Sequence, residues 1–327
     1  MLTQTRAVAD PDGLGPSACP RCRAALVPET ADALACVAER AVFRRHAGIW
    51  RFLDGETDHA AFTAQYRTVR RAEAWGSGSA DYYQRLPFTD LSGRHPDIWR
   101  IRAVTYRHFL RWVLAPRERE RHGGLRILDL GAGNGWLSAR LTGRGHQVAA
   151  VDLDDDPRDG LGAVVHYGDQ APAESVQASF DHLPWPRAVF DLAIFNGSLH
   201  YSPDYAQTLQ EALRVLKRAG EVVVLDTPFY AREASGRAMV GERNRRHGQQ
   251  YGVVAETTRN EAFLTDARLQ ELGSLLDLTW RVRRPYYGLR WALRPLQNRL
   301  LGRREPARFR VVAGALDATT SQRGARG

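Results

Sequence analysis

Cysteine, lysine and long apolar runs are scarce in this chain, and each scarcity excludes something. Three cysteines among 327 residues cannot build the multi-bridge framework of a small secreted scaffold, and their usage suits a cytoplasmic protein. No stretch of about 18 apolar residues occurs, so no membrane span is expected. Met1 to Gly15 lacks a basic segment followed by an apolar core, so no secretory signal is expected there. Lys217 is the only lysine, and every other basic side chain is arginine, so the formal charge of +9 reflects residue usage as much as partners. Its placement says more. Residues 281–310 hold ten arginines and one acid, Glu305, which concentrates the excess in one segment. An apolar content of 43% and a charged content of 25% are ordinary for a globular protein, and the length accommodates one large domain with a small appendage.

The stretch from Leu125 to Arg140 organises the rest. It starts as an apolar run, Ile127-Leu128 then Leu130, with the composition of a buried parallel strand. Gly131, Gly133 and Gly135 follow, then a helix-period segment with Trp136, Leu137 and Leu141. Strand, glycine turn and helix together bring backbone N–H groups and a helix N-terminus close to a ligand. A second strand, Gln147 to Asp152, ends in a carboxylate 23 positions after Asp129, where doubly wound sheets bind ribose hydroxyls. A missing glycine then separates two ligand classes. The dinucleotide fingerprint Gly-x-Gly-x-x-Gly needs glycine at 136, and Trp136 stands there. In the spacing found, Asp129-x-Gly-x-Gly-x-Gly, the carboxylate would repel a pyrophosphate and attract a cationic amino-acid tail.

Leu128-Asp-Leu-Gly-Ala-Gly-Asn-Gly135 resembles the first motif of the class I S-adenosylmethionine-dependent methyltransferases. The resemblance implies an α/β fold: a Rossmann-like seven-stranded sheet over 123–316 with helices on both faces, preceded by a small ribbon and a helical cap. It implies S-adenosylmethionine as cofactor, bound by Asp129, Gly131, Ala132, Gly133 and Asn134 at the first turn and by Asp152 and Leu153 at the second strand tip. Val176 to Asp181 and Leu183-Pro-Trp-Pro186 resemble the family's third strand and the segment after it, which assigns Ser179 and Phe180 to the adenine. The family often has Asp where this chain has Ser179, and Asp181 is the other candidate. Phe190 to Tyr201 fits the fourth strand, whose polar end sets Asn196 beside the donor. His200 and Tyr201 there are the candidate catalytic residues, His200 as a general base because imidazole titrates near neutrality; the alternative is that it only packs on the cofactor.

Ahead of the core, Cys19-Pro-Arg-Cys22, Cys36 and the Phe43 to Leu53 stretch are similar to the zinc ribbon that opens several methyltransferase families, ribosomal-RNA guanine methyltransferases included. Glu39 stands where a fourth cysteine is expected. The resemblance therefore implies a structural zinc on Cys19, Cys22, Cys36 and Glu39, with His46 as another source of the fourth ligand and loss of the metal as the alternative. The expected segments are a disordered 1–16, the ribbon at 17–54 and a helical cap at 58–122 broken at Gly76-Ser-Gly-Ser79. Most cap aromatics read as core, and Tyr82 and Tyr83 as acceptor-pocket candidates.

After Asp152, the acids of Leu153 to Gly160 read as a solvated turn. Tyr205 to Lys217 has helical period, ended by Gly220. The Arg-rich insertion at 229–258 suits a lid over the acceptor. In the basic insertion at 288–306, Leu289, Leu293, Leu296 and Leu300 recur at helical spacing, with Pro295 expected to break or start a helix. Such a piece suits peripheral contact with an anionic membrane, nucleic-acid phosphates, or packing on its own domain. Residues 317–327 are expected to be a disordered tail. The expected function is methyl transfer to a small-molecule or lipid-linked acceptor. The alternatives are an RNA methyltransferase using the ribbon and 281–310, and a non-catalytic donor-fold partner subunit.

Overall fold

The computed structural model describes residues 13–53, 57–121, 123–252 and 260–316. In chain order the ribbon gives β1 (Val27–Thr30), β2 (Ala33–Cys36), β3 (Ala41–His46) and β4 (Ile49–Arg51). The cap gives α1 (Thr57–Ala72), α2 (Ala80–Arg85), α3 (Pro96–Phe109) and α4 (Ala115–Glu120), with a π-helical turn at Leu110–Leu114 joining the last two. Then come β5 (Arg126–Leu130), α5 (Trp136–Thr142), β6 (Gln147–Asp152), β7 (Glu174–Gln177), β8 (Phe190–Asn196), α6 (Tyr205–Val215) and β9 (Leu216–Leu225). The chain closes with α7 (Glu233–Tyr251), α8 (Asp266–Leu275), β10 (Leu278–Arg283), α9 (Leu289–Leu300) and β11 (Val311–Leu316).

All strands join one sheet in the order β1-β2-β3-β4-β7-β6-β5-β8-β9-β11-β10. The seven expected core strands run from β7 to β10, parallel except for β11, which enters antiparallel between β9 and β10. The ribbon is not a separate appendage. β4 pairs parallel with β7, Trp50 opposite Val176, and extends the sheet to eleven strands. That pairing satisfies the open edge of β7 and buries Ile49 and Trp50.

Both faces of the core strands are covered, which is why they read as continuous apolar runs. Leu128 and Leu130 pack with Val151, Phe195 and Trp185 on one face; Ile127 and Ile194 meet Trp136, Trp99 and Phe109 on the other. Trp99 and Tyr106 of α3 stand edge-on to Trp136, with ring centroids 6.1 and 5.7 Å away, so the cap helices are tied to the helix that follows the glycine turn.

Several boundaries differ from expectation for local reasons. α6 ends at Val215 and passes directly into β9 without a glycine stop, because Leu216 is buried in the core and Lys217 bonds Asp191 at 3.0 Å. Pro295 lies inside α9 rather than at its start. Leu14 is buried, and its carbonyl accepts from Trp185 Nε1 at 2.8 Å, so this part of the 1–16 segment packs on the core. The remaining expectations for 1–12, for 253–258 of the insertion and for the tail 317–327 lie outside the described residues.

Candidate donor and acceptor site

Strands β5 to β8 end on one side of the sheet, and the polar residues at those ends converge there. The turn after β5 is fastened to β6: Gly131 N and Ala132 N both donate to Val151 O, at 2.8 and 3.0 Å. At Gly131, with φ +72°, a Cβ would lie 2.3 Å from Ser198 Cβ, and Ser198 Oγ donates to Leu130 O. The glycine therefore lets the tip of β8 close onto the turn. Gly133 N, at the apex, donates to Asp152 Oδ2 at 2.7 Å, and Asp154 N donates to Asp152 Oδ1 at 2.8 Å. Asp152 thus holds the two strand-end turns together.

Asp129 is buried beneath this cradle. Its Oδ2 accepts from Ser138 Oγ at 2.7 Å, while Oδ1 is enclosed without a partner among the described residues. Burial pushes the Asp129 carboxyl up to about 7, against the pull of its Ser138 bonds. Burial likewise pushes Asp152 up to about 6, opposed by the Asp154 and Gly133 N–H groups. A pair of enclosed carboxylates, one with an unused oxygen, fits a cationic nucleoside and disfavours a pyrophosphate.

The other expected donor contacts divide. Ala132, Leu153 and Asn196 stand at the same strand ends, but Asn134 Oδ1 accepts from Trp136 N at 3.3 Å and so caps α5. Ser179 Oγ accepts from Asp181 N at 3.2 Å, and Phe180 lies edge-on to Phe195 at 5.9 Å. Asp181 Oδ1 accepts from Thr208 of α6.

The acidic turn after Asp152 is not a solvated loop. Asp154, Asp156 and Asp159 are buried, and α1 lays arginines across them: Arg67 on Asp154 and Asp155, Arg71 on Asp156 at 2.8 Å, Arg70 on Asp159. Arg51 of β4 reaches Asp155 at 2.6 Å. Positions 67, 70 and 71 share one helical face, so opposite charge docks α1 over the donor cradle. Tyr66, half-buried, comes with it, and its desolvation there raises the phenol well above the ordinary range, with Arg70 opposing the rise and the Asp159 and Asp152 charges adding to it.

On the acceptor side, Tyr201 packs edge-on against Tyr66 and Phe62 at 5.7 and 6.0 Å. It borders a cavity of about 240 Å³ whose other walls include Tyr66, Arg70, Arg243 and His247. α7, from the expected lid insertion, supplies the last two. His200 Nδ1 is enclosed without a partner among the described residues. Burial, then the charges of Arg243 and Arg102, push the imidazole down to about 3, so it is neutral. Arg102 stacks over Trp99 and Trp75 at 4.6 and 5.6 Å, and a Cβ on Gly197 would be 4.0 Å from its Nη2. Beyond β9, Asp226 Oδ1 accepts from Thr105 Oγ1 at 2.7 Å while Oδ2 is enclosed without a partner among the described residues. Sequence reasoning missed Tyr66, Arg70, Arg102, Arg243 and Asp226. Tyr82 and Tyr83 do not line this cavity: both are buried, and the Tyr83 hydroxyl is taken by the backbone of Ser77 and Arg158.

In the ribbon, the sulfurs of Cys19, Cys22 and Cys36 lie within 4.8 Å of one another. Glu39 and His46 are not in that group. The backbone N–H of Glu39 is instead the main influence holding the Cys36 thiol below its usual range.

The order of the core strands, with a glycine turn tied at its apex to Asp152 and Asp129 buried beneath it, defines a Rossmann-like α/β domain. Residues 128–224 match the family described as a methyltransferase domain. The chain carries a class I S-adenosylmethionine-dependent methyltransferase domain. Among curated relatives, the ubiquinone/menaquinone biosynthesis C-methyltransferase UbiE of Proteus mirabilis (strain HI4320) is 33% identical over 105 residues, 31% of this chain and 42% of its own. The sarcosine/dimethylglycine N-methyltransferase of Halorhodospira halochloris is 34% identical over 102 residues, 31% of this chain and 37% of its own. The matches thus span less than half the length of these relatives. Among solved structures, magnesium protoporphyrin IX methyltransferase from Synechocystis PCC 6803, with bound S-adenosylhomocysteine, is 16% identical, with a TM-score of 0.48 over 81% of this chain and 100% of its own.

Proposed function

We propose that this protein transfers the methyl group of S-adenosylmethionine to a small-molecule or lipid-linked acceptor. The acceptor would sit between the tips of β8 and β9 and the covering helices α1 and α7. The observation that carries this reading is the cradle itself: Asp129 with an unused oxygen below the turn and Asp152 at its rim. Asp129 would face the cationic tail of the donor, and Asp152 its ribose hydroxyls. Bound there, S-adenosylmethionine supplies a methyl group on a sulfonium, an activated leaving group.

The chain's own residues then contribute position and dryness. Tyr66, held by the arginine–aspartate contacts of α1, closes the cradle to water. Neutral His200 offers Nδ1 to an acceptor O–H or N–H. Arg102 and Arg243 beside it favour an acceptor that carries or develops negative charge. The names of the relatives, a quinone-pathway C-methyltransferase and an N-methyltransferase of small amino acids, agree with an acceptor of small-molecule or lipid class.

The test is to incubate the protein with methyl-labelled donor and a cell extract separated into lipid, aqueous small-molecule and RNA fractions. Label is expected in the first or second. Label confined to RNA would replace this reading with the nucleic-acid one. Donor binding without label in any fraction would leave a non-catalytic partner subunit.

A second proposal concerns the ribbon: its three clustered sulfurs would supply three of the four ligands of a structural zinc, which would fix the turn before β1 to the one after β2. Elemental analysis of the purified protein is expected to give about one zinc per chain, and Cys22→Ser to remove it. A parent protein free of metal would end the idea.

A further inference from the structure

Helix α9 is turned the opposite way from an ordinary surface helix. At about 100° per residue, Leu289, Leu293, Leu296 and Leu300 fall within an arc of about 60°. A helix so patterned normally buries that arc against its own domain. Here the four leucines are 68%, 41%, 55% and 78% exposed, and no residue of the helix is buried. The side that meets the protein is the other one. Trp291, Arg294, Pro295 and Asn298 are its half-buried positions. Trp291 lies 5.4 and 5.8 Å from the rings of Tyr287 and Phe309, and Asn298 Nδ2 donates to Arg304 O at 2.8 Å. Leu301, 62% exposed, prolongs the apolar strip.

The flanks of the strip are cationic. On the helical wheel Arg290 and Arg299 stand on either side of the leucines, Arg303 follows, and α9 contains no acid. All three arginines are exposed.

We propose that α9 docks this protein on an anionic lipid bilayer, lying flat with its leucines at the acyl boundary and Arg290, Arg299 and Arg303 on lipid phosphates. Nucleic-acid phosphates would satisfy the arginines and leave the leucines in water; an apolar layer under an anionic rim satisfies both. At 12 residues the helix is far too short to span, so it can only lie in the interface. Its root is tied to the acceptor side. Tyr287, just ahead of it, meets Thr105 Oγ1 at 2.9 Å, and Thr105 donates to Asp226 at the end of β9. Docking therefore sets that end of the sheet near the bilayer, where a lipid-linked acceptor would be found. This last step rests on the proposed function; the docking does not.

The test is co-sedimentation of the full chain with vesicles of phosphatidylcholine alone or mixed with phosphatidylglycerol. Binding is expected only to the mixed vesicles and is expected to weaken with salt. Leu293→Glu/Leu296→Glu should lose it, and Arg290→Glu/Arg299→Glu should weaken it on the order of tenfold or more. Both variants should still bind S-adenosylhomocysteine in a calorimeter, which separates loss of docking from unfolding and from failure of the donor site. Equal retention by both vesicle types, or a leucine variant that binds like the parent, overturns the proposal. So does RNA binding that survives the leucine changes in the absence of vesicle binding. A leucine-dependent dimer in sedimentation velocity, again without vesicle binding, would assign the strip to a second copy of the chain.

Discussion

Asp152→Ala is expected to weaken S-adenosylmethionine and S-adenosylhomocysteine binding by about 100-fold, read by calorimetry. Two effects combine. In the proposed function the carboxylate accepts from the ribose hydroxyls, and hydrogen bonds to a charged group contribute about 1.5–3 kcal/mol each. It also accepts from Gly133 N at 2.7 Å, so its removal frees the apex of the turn. Asp181→Ala is the contrast: its carboxylate is bound to Thr208 of α6, and donor affinity should change by less than about twofold. The same carboxylates set a pH dependence. In the free protein Asp152 is pushed up to about 6 and Asp129 up to about 7 by burial, so both are increasingly protonated as pH falls through that range. A cationic donor binds the ionised forms and draws their pKa values down, so binding releases protons. Affinity should therefore tighten from pH 5 to pH 8 and level off above it. An affinity that is flat across that window would show that no positive charge rests against these groups.

The donor half of the site is legible in the sequence because it is local. Asp129, the three glycines and Trp136 lie within eight positions, and a strand–turn–helix of that composition has few other uses. Asp152 follows from the next strand. The acceptor half is assembled from residues far apart. Tyr66 and Arg70 reach the cradle only because α1 folds back over it, and Arg102 only because α3 packs on Trp136. One signal was present and carried no weight. The acids at 154, 155, 156 and 159, taken alone, have the composition of a solvated turn. Arg67, Arg70 and Arg71, spaced for one helical face, are their complement, with Arg51 of β4 a fourth arginine that makes a second contact to Asp155. Charge matching between a helix and a loop 80-odd positions away leaves no mark on either segment alone. The ribbon's place was equally hidden. Nothing in Ile49-Trp50-Arg51 shows that its partner is Ser175 to Gln177, since a three-residue strand has too few positions to reveal a register. α9 shows the converse case, in which the leucine period was read correctly but its direction could not be. Periodicity says that one side of a helix is apolar; only the packing of Trp291 and Asn298 says that this side faces out.

Arg70→Ala should destabilise the fold by about 3–5 kcal/mol. The guanidinium is enclosed between the Trp75 ring, 3.8 Å from its centroid, and the Tyr66 ring at 5.5 Å, and it pairs with Asp159. Asp159 is itself buried, with one oxygen already lacking a partner among the described residues. Removing the arginine leaves that charge enclosed and unpaired, which costs more than the pair contributes when intact. For a chain of this size the loss corresponds to a fall in Tm of about 4–7 °C. The double change Arg70→Met/Asp159→Asn removes both charges and should recover a large part of the loss. The two single effects would then exceed the double, the signature of a coupled pair. Single effects that simply add would mean that the contact is incidental and α1 is held by its aromatic packing. Donor affinity supplies an independent readout. If α1 is the cover of the cradle, Arg70→Ala weakens donor binding under conditions where the protein is still folded, because Tyr66 loses the neighbour that seats it over Asp152. If binding is unchanged while Tm falls, the arginine–aspartate contacts serve the fold alone, and water must be excluded from the donor by some other element.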